Sequence, residues 1–326
     1  MKYLITGGAG FIGSHLADAL IARGDSVVAF DDFSTGSRAN VAHLAAHPGF
    51  RLVEGDVRHF PSLEPLVADC DRVLHMAAAV GVQLIMDKPV ETILVNVRGT
   101  ETVLEACLRH HRLVLIASTS EVYGKALEGA QSEVLEEEGD WVLGATSKRR
   151  WAYGCSKALD EFLALAYHTE YKLPLVIVRF FNTVGPRQTG EYGMVIPRFV
   201  RMALAGDPLQ VHGDGLQSRC FNHVLDAVAS VLKLLENPAA VGKVVNVGND
   251  EEVTIRTLAE RVIAVAGSAS RLELIPYERA YAGGFEDMRR RKPSLVRLEA
   301  LTGERPRHSL SDILLDVIRH ERAGSP

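Results

Sequence analysis

The chain has 326 residues, of which 47% are hydrophobic and 24% are charged, so it can bury a large core and is long for a single domain. Its formal net charge of −5 is mild, which gives no electrostatic reason to expect nucleic acid or an anionic membrane surface as a partner. The four cysteines include no Cys-x-x-Cys pair, and no apolar run approaches the roughly 20 residues that span a bilayer. We therefore expect a soluble cytoplasmic protein with free thiols and no metal site.

The first residues predict a strand, a tight turn and a helix. A short apolar run leads into Gly7-Gly8-Ala9-Gly10-Phe11-Ile12-Gly13, and an amphipathic pattern follows. Glycines let the backbone approach a bound pyrophosphate, and the start of a helix directs free N–H groups and a positive dipole at that anion. The run fits two dinucleotide-binding spacings, Gly8-x-Gly10-x-x-Gly13 and Gly7-x-x-Gly10-x-x-Gly13, and a flexible turn without a ligand is the alternative.

The next strand favours the dinucleotide interpretation. Residues 27–30 form an apolar run that ends in Asp31 and Asp32. A carboxylate at this strand end is placed to accept hydrogen bonds from the adenosine ribose, and it would repel the additional phosphate of NADP. The sequence therefore predicts NAD as the cofactor, with nearby Arg38 as the residue that could reverse this preference.

Strand and helix patterns alternate from Met1 to about Phe180. Strand-like runs lie at residues 4–5, 27–30, 52–53, 73–74, 113–116 and 175–178, and helical periodicity lies between several of them, for example at 93–108. This alternation predicts an α/β fold with a doubly wound parallel sheet that helices cover on both faces. We expect residues 1–180 to form a dinucleotide-binding domain. Residues 181–326 would form mainly a smaller α+β cap that binds substrate, with a stretch at about 221–247 returning to the first domain.

Polar side chains at the ends of the predicted strands supply the candidate chemistry. Tyr153 and Lys157 lie four residues apart in a helical pattern, so they share one helix face. An ammonium group near a phenol favours the phenolate and lowers a pKa of about 10 towards the range of a general base. The hydroxyls of Thr119 and Ser120, after the fifth strand, could hydrogen-bond the same substrate oxygen. Together with the glycine turn, these residues predict hydride transfer at an alcohol, whereas a Tyr–Lys pair alone is typical of a surface helix.

The chain resembles the extended short-chain dehydrogenases/reductases of the NAD-dependent epimerase/dehydratase family, which modify nucleotide sugars. The matching segments cover nearly the whole chain and are residues 7–13, 31, 56–57, 75–78, 96, 118–124, 153–157, 179–182, 185–187 and 213–219. The resemblance implies a Rossmann fold, a homodimer formed through two helices per subunit, and a tightly held NAD that oxidises a sugar C4 hydroxyl and later returns the hydride. It assigns cofactor binding to Gly7, Gly10, Phe11, Ile12, Gly13, Asp31, Asp56, Val57, Ala77, Asn96, Tyr153 and Lys157.

Within the family, Thr119-Ser120-Glu121 resembles the UDP-glucuronate decarboxylases. The 4,6-dehydratases usually carry Thr-Asp-Glu there, and the galactose-type 4-epimerases usually lack the glutamate. Residues 148–153 and 284–294 are similar to the segments that carry two functional arginines in such decarboxylases. The resemblance implies that Arg150 binds the substrate, that Glu121 acts as acid or base, and that Arg291 is a proton donor or phosphate ligand. Phe285 stands where a tyrosine is expected at a nucleotide contact, and a basic surface run is the alternative for residues 289–291.

Three further residues are candidates for holding the diphosphate of the substrate, namely Asn182, Arg187 and Arg219, because guanidinium groups match phosphate oxygens. Helix capping or ion pairing is the alternative for each of them. The leading hypothesis is decarboxylation of UDP-glucuronate through a 4-keto intermediate, since loss of carbon dioxide from a β-keto acid leaves an enolate that nearby positive charge stabilises. A UDP-glucose or UDP-uronate 4-epimerase would use the same residues. A catalytically silent NAD-binding regulatory protein is the alternative from another class.

Overall fold

A computed structural model of the chain describes residues 1–81, 87–127, 133–190, 194–276 and 288–324. Its strands are β1 Lys2–Thr6, β2 Ser26–Asp31, β3 Phe50–Glu54, β4 Arg72–His75, β5 Leu113–Thr119, β6 Leu175–Phe180, β7 Thr183–Val184, β8 Leu209–His212, β9 Ser218–Cys220, β10 Asn222–His223, β11 Val244–Val247, β12 Glu252–Thr254 and β13 Leu272–Ile275. Its α-helices are α1 Phe11–Ala22, α2 Phe60–Ala68, α3 Pro89–His110, α4 Trp151–Tyr171, α5 Val195–Ala205, α6 Val224–Glu236, α7 Ile255–Ala266, α8 Val296–Thr302 and α9 Leu310–Gly324.

The described residues include a seven-stranded parallel sheet with the strand order β11-β6-β5-β4-β1-β2-β3. The order reverses at β1, which pairs with β2 on one side and with β4 on the other, so that Ile5 lies opposite both Ala29 and Leu74. The predicted doubly wound parallel sheet is therefore confirmed. In such sheets the crevice for a ligand opens at the carboxyl ends of the strands on either side of this reversal.

Helices bury both faces of this sheet, so its strands need apolar side chains on both sides. Continuous apolar runs meet this need better than alternating ones. Helices α1, α6 and α8 pack on one face, where the core includes Leu16, Leu20 and Val231. Helices α2, α3 and α4 cover the other face, where the core includes Leu63 and Val103.

A second hydrophobic core lies outside the large sheet. It is built from α5, α7 and α9 together with the short strands β8 and β13, which pair in parallel. Phe199, Leu258 and Ile313 are completely buried in it. Between the elements of this second core, the chain returns to the large sheet, because β11 pairs with β6 and α6 packs beneath the sheet.

The structure can be compared with two expectations from the composition, namely free cysteine thiols and the absence of a membrane-spanning segment. All four cysteines are free, as predicted, with Cys155 exposed and the other three buried. Within the described ranges, the helices lack the combination of length and apolar character that a bilayer crossing requires.

Candidate active site

A cleft of about 470 Å³ opens at the carboxyl ends of the large sheet and extends towards the second core. Its lining includes Gly7 and Asp31 from one end, Thr119 and Tyr153 from the middle, and Arg219 from the other end. The cleft therefore connects the glycine turn, the ends of the central strands and the smaller part of the molecule.

The glycine turn keeps its backbone open to an anion because it carries no side chains at its tightest points. Larger residues would collide there with neighbouring backbone atoms. Gly7 has a φ of +68°, and its N–H donates to Phe30 O at 2.8 Å. A Cβ on Gly13 would lie 2.1 Å from Gly7 O, which is far inside van der Waals contact. Helix α1 begins at Phe11, and Gly10, Phe11, Ile12 and Gly13 all line the cleft. This cradle fits the pyrophosphate of a dinucleotide.

Asp31 ends β2 at the rim of the same cleft. Its carboxylate accepts hydrogen bonds from Ala9 N at 2.9 Å and Phe33 N at 2.8 Å, and its burial raises its pKa. The guanidinium of Arg38 lies over the Phe33 ring at 4.1 Å and forms an ion pair with Glu54. Arg38 is thus engaged outside the cleft, which is consistent with NAD rather than NADP as the cofactor.

Of the predicted cofactor residues at 56, 57, 77 and 96, the structure brings two to the cleft. Val57 and Ala77 line it. Asp56 faces Arg58, whose Nε lies 2.9 Å and 3.0 Å from the two carboxylate oxygens. Asn96 is buried behind the cleft, where its Oδ1 accepts from the backbone N–H of Ala79 at 2.9 Å. Its Nδ2 donates at 3.1 Å to the hydroxyl of a serine on α4, so Asn96 joins α3 to α4.

Tyr153 lies on the first turn of α4, and its side chain lines the cleft together with that of Thr119 at the end of β5. Burial raises the pKa of Tyr153, and the negative charges of Glu121 and Asp160 raise it further, whereas the nearby hydroxyl of Thr119 opposes the rise. The predicted lowering of this pKa is therefore wrong for the structure described here.

Lys157 is paired with a carboxylate and does not offset this rise. Its Nζ donates to the carboxylate of Asp160 at 2.7 Å, and both side chains are almost fully buried. Lys157 does not line the cleft formed by the described residues. Its charge is thus balanced by a residue that the sequence reasoning missed, although an acid three positions after a lysine on one helix is a recognisable signal.

Glu121 is the centre of a charged cluster beside Tyr153. It follows β5, and its Oε1 lies 2.8 Å from Arg291 Nη2 while its Oε2 lies 3.3 Å from Arg150 Nη2. Arg291 also donates to Ser120 Oγ at 3.3 Å. Burial by itself would raise the pKa of Glu121, but the two guanidinium groups outweigh it and lower the pKa to about 2. Arg291 is therefore part of the cleft rather than of a basic surface run.

The remaining candidates for substrate binding are distributed between the cleft and the surface. Asn182 lines the cleft and donates to Cys220 O at 2.9 Å. Arg219 also lines it, and its Nη1 donates to Ser218 O and Met288 O. Arg187 pairs with Asp18 on α1 at 2.7 Å, and it is not part of the described cleft lining. Phe285 lies outside the described residues.

Arg198 and His212 are polar cleft residues that the sequence did not assign to the site. Arg198, on α5, lies with its Nη1 3.0 Å from His212 Nε2 at the end of β8, and both side chains line the cleft. Nothing in their spacing indicates a site, because the sheet and helix packing of the second core brings them together.

A model of the NAD dependent epimerase/dehydratase family matches residues 3–248 of the chain. The chain belongs to this family. As a member of this family, the chain is an enzyme, and its cofactor is NAD. The glycine cradle and Asp31 are the features of the structure that fit this cofactor.

Individual relatives cover the chain almost completely. The UDP-N-acetyl-alpha-D-glucosaminuronate decarboxylase of Bacillus cytotoxicus is 39% identical over 319 residues, which are 98% of this chain and 97% of that protein. UDP-glucuronic acid decarboxylase 1 of Arabidopsis thaliana is 36% identical over 312 residues, which are 96% of this chain and 68% of that protein. Among solved structures, a mutant of the UDP-glucuronic acid 4-epimerase from Bacillus cereus, in complex with UDP-4-deoxy-4-fluoro-glucuronic acid and NAD, matches with a TM-score of 0.88 and 28% identity over 99% of each chain.

Proposed function

We propose that the enzyme decarboxylates a UDP-linked uronic acid through a 4-keto intermediate. The observation that carries this proposal is the position of Glu121, Arg150 and Arg291 next to Tyr153 in the cleft. A neutral hexose would not need two largely buried guanidinium groups beside its reacting carbons. The names of the two decarboxylase relatives support the same reaction.

The charge of the cluster favours a carboxylated substrate. Arg150, Arg291 and the neighbouring Arg219 all lower the pKa of Glu121, so three guanidinium groups lie around this part of the cleft. Charges in a partly desolvated cleft interact more strongly than charges in water, and a guanidinium group matches a carboxylate in shape. These guanidinium groups can therefore bind the C6 carboxylate and stabilise the enolate that remains after carbon dioxide leaves.

The first step assigned to the chain is proton removal from the sugar. Tyr153 takes the proton of the C4 hydroxyl, and Thr119, which lines the cleft beside Tyr153, orients the same oxygen. Bound NAD would supply the hydride chemistry at C4, and the glycine cradle and Asp31 are the parts of the chain that would hold it. The ketone at C4 makes the C6 carboxylate part of a β-keto acid, so the C5–C6 bond can break. Carbon dioxide leaves, and the electrons of that bond stay on the sugar as the enolate.

A proton must then reach C5, before the C4 ketone is reduced and its oxygen regains the proton that Tyr153 took. Glu121 is held as a carboxylate by Arg150 and Arg291, so near neutral pH it orients these two groups instead of donating a proton. We assign the donation at C5 to a water molecule held by Arg291: the water gives its proton to C5, and the guanidinium charge stabilises the hydroxide that remains until solvent reprotonates it. In this assignment Glu121 orients Arg150 and Arg291 and is not the acid.

A UDP-uronate 4-epimerase is the second candidate, because a solved neighbour of that activity was crystallised with a fluorinated UDP-glucuronic acid and NAD. One experiment separates the two. The purified enzyme is incubated with UDP-glucuronate and, separately, with UDP-N-acetylglucosaminuronate, and the products are analysed by mass spectrometry. Loss of carbon dioxide supports the proposal, and the substrate consumed shows whether an N-acetyl group is accepted at C2. A product of unchanged mass and inverted configuration at C4 would establish the epimerase instead.

We propose that the second core and its loops form a cap that holds the nucleotide of the substrate. Arg219 and Asn182 lie between this region and the strand ends, so they are positioned to contact the diphosphate. Arg198 and His212 would lie further along the cleft, towards the nucleoside. Arg187 is left out of this assignment because Asp18 already binds it.

We also propose a homodimer formed through α3 and α4. Helix α4 exposes Leu159 by 50% and Phe162 by 61%, and Trp141 contacts the Phe162 ring with a centroid distance of 6.2 Å. The adjacent helix α3 exposes Val90 and Ile93. Large apolar side chains that share a helix face and remain exposed in one chain are typical of an interface between subunits.

A further inference from the structure

A buried asparagine lies between the two segments that carry the charged pair of the cleft. Asn246, on β11, is completely buried and is not part of the described cleft lining, so a ligand in the cleft would not touch it. Its strand is the end strand of the large sheet, next to β6. Since a buried polar group without a hydrogen-bond partner costs about 1–3 kcal/mol, the partners of this amide indicate which parts of the chain it holds together.

The side-chain amide of Asn246 uses its oxygen and both of its N–H groups. Its Oδ1 accepts from the hydroxyl of Tyr123 at 2.8 Å, and its Nδ2 donates to Leu135 O at 3.0 Å and to Ser294 O at 3.3 Å. Two carbonyl oxygens require two N–H donors, so this network fixes the orientation of the amide. A carboxyl group of the same shape could not donate to both carbonyls.

The two donated bonds hold the segment that carries Arg291. Residues 288–294 lie outside the helices and the named strands, so contacts with other parts of the chain hold their backbone in place. Leu135 N donates to Lys292 O at 2.8 Å, and Ser294 N donates to Leu135 O at 2.9 Å, which makes a short parallel bridge. The asparagine amide joins both chains of this bridge, because it donates to one carbonyl on each.

The accepted bond holds the segment that carries Glu121. Tyr123 ends the short 3₁₀ helix that follows β5, and it lies two residues after Glu121. Because Glu121 Oε1 is 2.8 Å from Arg291 Nη2, Asn246 contacts the segments of both members of this pair. Residues 288–290 are held separately, through β9 and β12. Asn246 therefore ties the other end of the arginine segment to the sheet.

We propose that Asn246 is a positioning residue that holds Arg291 beside Glu121 by tying the arginine segment to the end strand of the sheet. The proposal rests on the role assigned above to Arg291, which is to stabilise the enolate and to hold the water that protonates C5. A displacement of about 1 Å at a reacting centre can cost about 100-fold in rate. Loosening of this segment slows the steps at C5 and leaves nucleotide binding, which is assigned to other residues, unchanged.

The test is a double-mutant cycle with Asn246→Asp in the wild type and in Arg291→Met, using the UDP-uronate that the wild type consumes. We expect kcat for substrate consumption to fall by about 10-fold to 100-fold in the wild-type background. The affinity for UDP, measured by calorimetry, should not change. In Arg291→Met the same substitution should change kcat by less than about twofold, because the arginine that it positions is absent. A residue that only stabilises the fold would have the same effect in both backgrounds.

The matched control is Asn249→Asp, which makes the same change three residues later. Asn249 is also buried, but its Nδ2 faces His308 O at 3.5 Å, outside the arginine segment, so kcat should stay at the wild-type level. Melting temperatures confirm that each variant is folded. If Asn246→Asp does not fold, Asn246→Ser replaces it, because a hydroxyl can still donate to one of the two carbonyls and should cause a smaller loss.

The possible failures are distinguishable. A wild-type kcat in the folded Asn246 variant, or an equal loss in both backgrounds, overturns the proposal. A fully active Arg291→Met overturns the role of Arg291 and this proposal with it. A product of unchanged mass overturns decarboxylation alone, because the cycle measures consumption of the substrate and still reports the coupling between the two residues.

Discussion

Replacement of Arg291 by methionine tests whether the cluster around Glu121 takes part in the reaction. Arg291 Nη2 lies 2.8 Å from Glu121 Oε1, and the Arg291 side chain is 7% exposed. Two opposite unit charges about 4 Å apart interact by roughly 4 kcal/mol when the effective dielectric constant is about 20. If Arg291 stabilises the developing enolate by a comparable amount, the loss of this interaction in the variant corresponds to a rate reduction of roughly a thousandfold. Because Arg150 remains in the variant, we expect a reduction of kcat/KM between about 100-fold and 1000-fold.

The matched control is Arg289→Met, two residues earlier in the same basic run. The Arg289 side chain is 77% exposed and pairs with Asp214 at 3.4 Å, and exposed ion pairs contribute little. Its kcat/KM should stay within about twofold of the wild-type value. The assay measures carbon dioxide release from the UDP-uronate under steady-state conditions, with melting temperatures to confirm folding. Equal losses in the two variants, or a fully active Arg291→Met, would refute the assignment.

Three further predictions follow from the same geometry. Tyr153→Phe should abolish turnover while NAD remains bound, as measured by absorbance of the purified protein, and retained turnover would remove the phenol from the mechanism. Glu121→Gln should lower the free energy of unfolding at pH 7 by about 3 kcal/mol. This value follows from the difference between the pKa of about 2 in the folded state and the ordinary value of 4.5. A depressed pKa stabilises the fold above the unfolded-state pKa, so urea denaturation should show the full difference from pH 7 to 5 and a smaller one as the pH falls from about 4.5 towards 2. A variant as stable as the wild type at pH 7 would contradict this. Phe162→Asp on the exposed face of α4 should shift the protein from dimer to monomer in light scattering, whereas a monomeric wild type would exclude the interface.

Much of the fold follows from local sequence. The strands at residues 27–30, 113–116 and 175–178 were predictable because helices cover both faces of the sheet, which requires short continuous apolar runs. The glycine turn was predictable because the conformation of Gly7 and the close packing at Gly13 exclude larger side chains. The order of these elements, with Thr119 and Tyr153 at strand and helix ends, then placed the candidate chemistry at one edge of the sheet.

The charges in the site could not be predicted in the same way. The sequence suggested that Lys157 would lower the pKa of Tyr153, but the helix face they share also presents Asp160 to the lysine, and burial determines which contact prevails. Arg187 has the residue type for binding a diphosphate, yet the packing of its loop against α1 brings it to Asp18.

The sequence by itself determined which residues stand at strand ends, because hydrophobic periodicity and glycine spacing are properties of short segments. Only the tertiary structure decided which charges meet, since Arg291 reaches Ser120 and Glu121 from about half the chain away. The free energy of an ion pair depends on distance and on the loss of solvent, and both quantities exist only once the chain has folded.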